Sequence, residues 1–178
     1  MDYLPNGYLE DPRPKHLRDP VIQVVGEQYF SLLEVILDKR LADSFQFEPC
    51  ARYYIGKGEK NVIGHRFRRL HSEKLTINAK AELPRVLEQI VHTNPDRFVG
   101  FYNKSQPLTN RMHQLELLPG IGKKTMWQIL DARKAKKFES FEDITNRASI
   151  TKPDQLIIKR IIRELETPGE KHLIFARP

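Results

Sequence analysis

The segment Leu118-Pro119-Gly120-Ile121-Gly122-Lys123-Lys124 sets the tightest limit on how this 178-residue chain can fold. Apolar residues at helical spacing precede and follow it, and a helix does not run through a Pro-Gly-x-Gly interruption. The chain must therefore turn sharply from one helix into another. Gly120 and Gly122 can adopt positive φ, and they lack the Cβ that would hold a second backbone away. The first-turn N–H groups of the second helix, near Gly122 to Lys124, have no intrahelical partner and carry the positive end of the helix dipole. Such a corner suits an anion, and Lys123 and Lys124 add charge beside it. A bare Gly-x-Gly turn without a ligand is the plainer alternative. The flanking apolar helices, Pro119 and the two lysines make the pattern longer than that.

The surrounding residues predict more helices. Leu83, Val86, Leu87, Ile90 and Val91 share one helical face, with Pro84 in the first turn. Asn94 and Pro95 read as the N-cap and first residue of a short helix that buries Phe98, Phe101 and Tyr102. Four helices follow. The first covers about 108–117, with Leu108, Met112 and Leu115 inward, and the second about 122–135, with Met126, Ile129 and Leu130 inward. The third starts at Ser140, where Asp143 completes capping-box spacing, and the fourth follows Thr151 with Asp154 in the same relation. Trp127 reads as a core residue. An offset of 29 aligns Ile150-Thr151-Lys152 with Ile121-Gly122-Lys123, Ile144 with Leu115, and Ile158 with Ile129. The second copy has Ala148 and Ser149 where the first has Pro119 and Gly120. Residues 104–178 therefore read as a duplicated helical unit closed by a short strand at Lys171–Ala176.

The N-terminal half has a different texture. Residues 1–20 hold four prolines and read as an extended tail. Apolar β-branched runs predict strands at about 21–25 and 28–37, with further strands at Phe45–Ile55, Val62–Leu70 and Lys74–Ile77. Short strands divided by turn signals point to a small barrel spanning residues 21–103 with flanking helices. Lys57, Lys60, Arg66, Arg68 and Arg69 gather around one hairpin with Tyr53, Tyr54, His65 and Phe67. Cations interleaved with rings suit single-stranded nucleic acid, although a solvated face opposite an aromatic core face alternates in the same way.

Charge is unevenly spread. Residues 1–103 carry 15 Lys+Arg against 14 Asp+Glu, whereas residues 104–178 carry 15 against 9. Most of the net +7 thus lies in the half with the glycine corner, which favours polyanion partners. One cysteine, Cys50, excludes a disulfide framework and a multi-thiolate zinc site. No apolar run approaches a membrane span, Met1–Pro20 has no signal-peptide core, and a cytoplasmic setting is expected. The six histidines include no pair four residues apart, so no metal is expected. No Walker-type loop is present, and neither Asp131 nor Asp143 has the context of a glycosylase aspartate. No catalytic residue and no cofactor is expected.

Met112–Ile129 resembles the helix-hairpin-helix motif, which grips a sugar–phosphate backbone without sequence preference. On that resemblance Pro119, Gly120, Gly122, Lys123 and Lys124 match the hairpin, with Thr151 and Lys152 as a looser second copy. The stretches Phe98–Trp127, Phe138–Ile144 and Lys171–Phe175 further resemble an archaeal family known as domain of unknown function six-five-five. That resemblance covers nearly the whole chain. It implies an α+β fold of two modules, an OB-like β-barrel followed by an all-α tandem helix-hairpin-helix domain. It also implies RNA rather than DNA as partner, and a ribosome- or transcription-linked setting. The expectation is a non-enzymatic nucleic-acid-binding protein. The alternative is a protein adaptor docking on a ribosomal or polymerase partner.

Overall fold

The computed structural model describes residues 1–42, 44–55 and 66–177. The fold is mixed α+β. The chain divides into two compact units, Met1–Val86 with Ala176–Pro178, and Leu87–Phe175. The division falls within a long helix, earlier than the boundary expected after residue 103.

In the first unit β1 (Asp2–Leu4), β2 (Val21–Val25), β3 (Leu32–Ile36) and β4 (Arg66–Arg69) form an antiparallel sheet in that order. Among the described residues no pairing joins β4 back to β1. Tyr3, Ile22, Val35 and Phe67 lie in one cross-strand row, and Asp2, Gln23, Glu34 and Arg68 in the next. Because strand side chains alternate, the first row faces one side and the second the other. Ile22, Val35 and Leu37 centre the core on the first side. Residues 1–20 are not a loose tail throughout: β1 pairs with β2, and the Arg13 guanidinium binds Asp11 and Asp19.

The expected strand at Phe45–Ile55 does not form. Phe45, Phe47, Tyr53 and Ile55 pack against the apolar face of the sheet instead, and a turn from Glu48 to Ala51 with Cys50 at φ 64° breaks any extended run. The helical turn α1 (Lys39–Ala42) precedes this segment. Of the predicted strand 62–70, residues 62–65 lie outside the described residues. Lys74–Ile77 is not a strand either. The Thr76 hydroxyl accepts from the Ala79 amide at 3.0 Å and caps α2 (Ile77–Thr93). This cap starts the helix early, so Pro84 sits in its interior rather than in its first turn.

In the second unit α3 (Pro95–Lys104) begins at Pro95 as expected. The helix predicted over 108–117 is replaced by a short hairpin, β5 (Pro107–Thr109) and β6 (Met112–His113), and a 3-10 turn, Gln114–Leu117. His113 is the reason. Its Nδ1 accepts from the Leu115 amide at 3.1 Å, while its own amide donates to Glu116 at 2.8 Å. Helical structure therefore starts only at Gln114, and Pro119 disfavours its continuation through Leu118.

Three helices follow: α4 (Lys123–Ala135), α5 (Phe141–Ala148) and α6 (Pro153–Glu166). Ser140 caps α5 as predicted, accepting from the Asp143 amide at 3.0 Å. The matching box at Thr151 does not form, because Lys152 holds the N-cap position of α6 in the left-handed region. The expected C-terminal strand is also absent. The Ile174 and Phe175 amides each donate at 2.9 Å to the buried Glu164 carboxylate rather than to a neighbouring strand.

Candidate nucleic-acid interface

Pro119 and Gly120 fill the centre of a tight turn closed by the Ile121 amide on the Leu118 carbonyl at 3.1 Å. Gly120 has φ 83°, the value a type II turn needs at its third residue. Leu118 and Ile121 are buried and anchor the turn, whereas Gly120, Gly122, Lys123 and Lys124 are exposed. Gly122 is the N-cap of α4, in extended conformation, with no side chain capping the helix. Its carbonyl accepts from the Met126 amide at 2.9 Å. Among the described residues, the amides of Gly122, Lys123, Lys124 and Thr125 have no hydrogen-bond partner. The first turn of α4 contains no acidic residue. A Cβ built on Gly120 or Gly122 meets nothing within 4 Å, so the side on which a side chain would project from these two residues is open.

Several arginines of this unit are engaged within the protein and are not available to a partner. Arg133 of α4 reaches back to the carbonyls of Tyr102 and Ser105 at 2.9 and 3.0 Å, closing the end of α3. Arg147 donates to the Ala132 carbonyl at 2.6 Å near the end of α4. Both positions match the general fit of cations to helix C-termini. Arg160 is buried against Glu164 at 2.8 Å. Part of the basic excess in this half of the chain is therefore structural.

Thr151 and Lys152 are exposed at the second corner, yet that corner differs electrostatically. Pro153 removes one N–H, the Gln155 amide bonds to Lys152 O at 3.0 Å, and Asp154 places a carboxylate in the first turn of α6. The first turn of α6 thus already carries a negative charge of the protein's own.

Of the sheet residues, Arg66, Arg68 and Arg69 are exposed on β4, while Lys57, Lys60 and His65 lie outside the described residues. Arg68 Nε donates to Glu34 at 2.6 Å, so its charge is largely matched. Glu34 is buried and also accepts from the Tyr8 hydroxyl. Burial, followed by the Glu34 hydrogen bond, pushes the Tyr8 phenol up to about 12, which keeps it a neutral donor. Tyr53 packs against Phe45 on the core side, whereas Tyr54 and Phe67 are exposed.

Three features were not legible beforehand. Trp127, expected in the core, is 55% exposed. It lies one turn beyond Lys123 on α4, so it shares a surface with the lysines. His113 serves as a structural cap, and burial followed by the Arg133 charge lowers its pKa. Glu88, His92 and Asp154 bring one potential metal-ligating atom each within 4.8 Å of the others. A search for histidine pairs misses that group. Glu88 and His92 at i and i+4 were the available signal, but Asp154 comes from a different helix.

Among the described residues no helix is long and apolar enough to cross a membrane. The family model described as "Protein of unknown function (DUF655)" matches residues 1–177, and the chain belongs to that family. It is 42% identical over 178 residues to the uncharacterized protein MJ0038 of Methanocaldococcus jannaschii, covering 99% of this chain and 77% of the relative. It is also similar to the crystal structure of Af1531 from Archaeoglobus fulgidus, of the same family, with 47% identity and a TM-score of 0.89. That match covers 99% of this chain and 96% of the other.

Proposed function

We propose that this family member is a non-enzymatic, cytoplasmic nucleic-acid-binding protein that grips a sugar–phosphate backbone at Gly120–Lys124. The observation that carries the reading is the open start of α4. Among the described residues four successive amides lack partners, two exposed lysines flank them, and no carboxylate competes in the first turn. Phosphate oxygens are the natural acceptors for such a corner. The contact reads no base, so it gives affinity without sequence preference.

The finer fold reading accompanies this function. The segment from Gln114 through α4, and α5 with α6, form tandem helix-hairpin-helix units, the first competent and the second degenerate. On the same reading the four-stranded sheet with its covering Phe45–Ile55 segment is the counterpart of an OB-like barrel, open between β4 and β1 among the described residues. Exposed Trp127 supports a partner with unpaired bases, because an indole beside a phosphate site can stack on a base. This favours RNA with single-stranded or looped regions over uniform duplex DNA. The same exposed indole favours a second reading, an adaptor that uses Trp127 as an anchor on a ribosomal or transcription protein.

The test is binding of fluorescent RNA and DNA oligonucleotides to the full chain and to Gly122→Ala. Gly122 is extended and a Cβ there meets no protein atom, so the variant should fold normally. A large loss of affinity in the folded variant supports backbone contact at this corner. Unchanged affinity removes the corner from the interface, and no binding by the wild-type chain at low salt favours the adaptor.

A further inference from the structure

We propose that Glu88, His92 and Asp154 form a site for a divalent transition-metal ion of the zinc class. Glu88 and His92 lie four residues apart on α2, so their side chains leave the same face one turn apart. Asp154 enters from the first turn of α6. All three residues belong to the second compact unit. One ligand atom from each lies within 4.8 Å of the other two, and His92 Nε2 is 3.0 Å from Asp154 Oδ2. Oxygen and nitrogen ligands around tetrahedral zinc stand roughly 3.4 Å apart, as follows from bond lengths near 2.1 Å. Small side-chain rotations bring the three atoms to that spacing.

Charge gives an independent reason for a cation. Two carboxylates converge on one imidazole, and no Lys or Arg ion pair is seen for either among the described residues. Asp154 pairs with His92, and Glu88 accepts from the Gln155 side-chain amide at 2.9 Å. Carboxylate oxygens held this close repel each other, and an ion between them turns that repulsion into attraction. Gln155 is placed as an outer partner that orients the Glu88 carboxylate. An imidazole with two carboxylates suits zinc, cobalt, nickel or copper ahead of magnesium or calcium. Three protein ligands leave a position for water. An ion held by both helices fastens the end of α2 to the start of α6, so binding stabilises the folded chain. The site shares no residue with the phosphate corner and does not depend on it.

The experiment is titration of the tag-free, full-length chain with Co2+, followed by competition with Zn2+. One equivalent of Co2+ should produce visible d–d absorption without a thiolate charge-transfer band. Zn2+ should bleach it and raise the melting temperature. H92A, E88Q and D154N should each weaken binding at least about tenfold, no less than loss of an outer-sphere partner does. Circular dichroism checks that each variant is folded. In the unmodified chain, Co2+ should broaden the His92 imidazole resonances before those of the other histidines. Absence of a Co2+ spectrum on the wild-type chain overturns the proposal. So does undiminished affinity in folded H92A and D154N, a thiolate band pointing to Cys50, or broadening of another histidine first.

Discussion

Gly120 and Ser149 occupy equivalent positions in the internal repeat and both hold left-handed backbone, at φ 83° and 54°. The residues after them, Ile121 and Ile150, are buried in both copies, as are the aligned pairs Leu115 with Ile144 and Ile129 with Ile158. The two corners therefore share a backbone reversal and an apolar anchor. They differ in what the following helix offers to solvent: open amides at α4, an acidic first turn at α6.

The shared backbone predicts opposite effects of two substitutions. A left-handed non-glycine residue costs roughly 1–2 kcal/mol. Gly120→Ala should destabilise by about that amount, although its Cβ has free space. Ser149→Gly should stabilise by roughly 0.5–1 kcal/mol, since glycine's greater unfolded-state freedom offsets part of the gain. Urea denaturation measures both, and a stabilising Gly120→Ala would contradict the strain assigned to this turn.

The buried Arg160–Glu164 pair organises the C-terminal segment. Arg160 also reaches the His172 carbonyl, and Glu164 accepts the Ile174 and Phe175 amides. Removing one partner leaves a buried charge uncompensated, at about 3–5 kcal/mol. Arg160→Met should lower stability by that amount in denaturant titrations and raise hydrogen exchange at Ile174 and Phe175. A near-neutral effect would mean the pair is solvated in solution.

His113 makes stability depend on pH. Its folded-state pKa is lowered, chiefly by burial, so the unfolded chain takes up the proton first as pH falls. The stabilisation is fully present above the unfolded value of about 6.5 and declines as pH drops through it towards the folded pKa. His113→Asn keeps an N-capping acceptor but cannot protonate, so its stability should fall less over that acidic window. Parallel stability–pH curves for the two proteins would remove His113 from the linkage.

Trp127 should separate partners by strandedness. Trp127→Ala should weaken single-stranded binding by about 1–3 kcal/mol, the usual worth of a base–aromatic stack. Binding to a blunt duplex should barely change. Equal losses on both in equilibrium anisotropy measurements would assign the indole a packing role.

The corner was legible because Pro119, Gly120 and Gly122 act through local backbone sterics, which sequence reports directly. The same holds for α5, whose Ser140 cap is a local contact. Two elements differ from the sequence expectation through local caps that periodicity does not reveal: Thr76 and His113 set where helical structure begins. Two others were decided by residues farther along the chain: the Phe45–Ile55 segment packs on the sheet instead of joining it, and Glu164 draws the C-terminal amides away from a strand. Trp127 reads as core because its neighbours Met126, Ile129 and Leu130 are buried or partly covered, whereas one residue's step around the helix turns the indole to solvent.

The most direct test of the central claim is the salt dependence of RNA affinity for the wild-type chain and for a Lys123→Gln/Lys124→Gln double variant. If the open end of α4 holds the backbone, log affinity should fall linearly with log salt. The double variant should then show a slope shallower by about two, one for each lysine removed. Identical slopes for the two proteins, with both folded and bound, would show that the polyanion sits elsewhere.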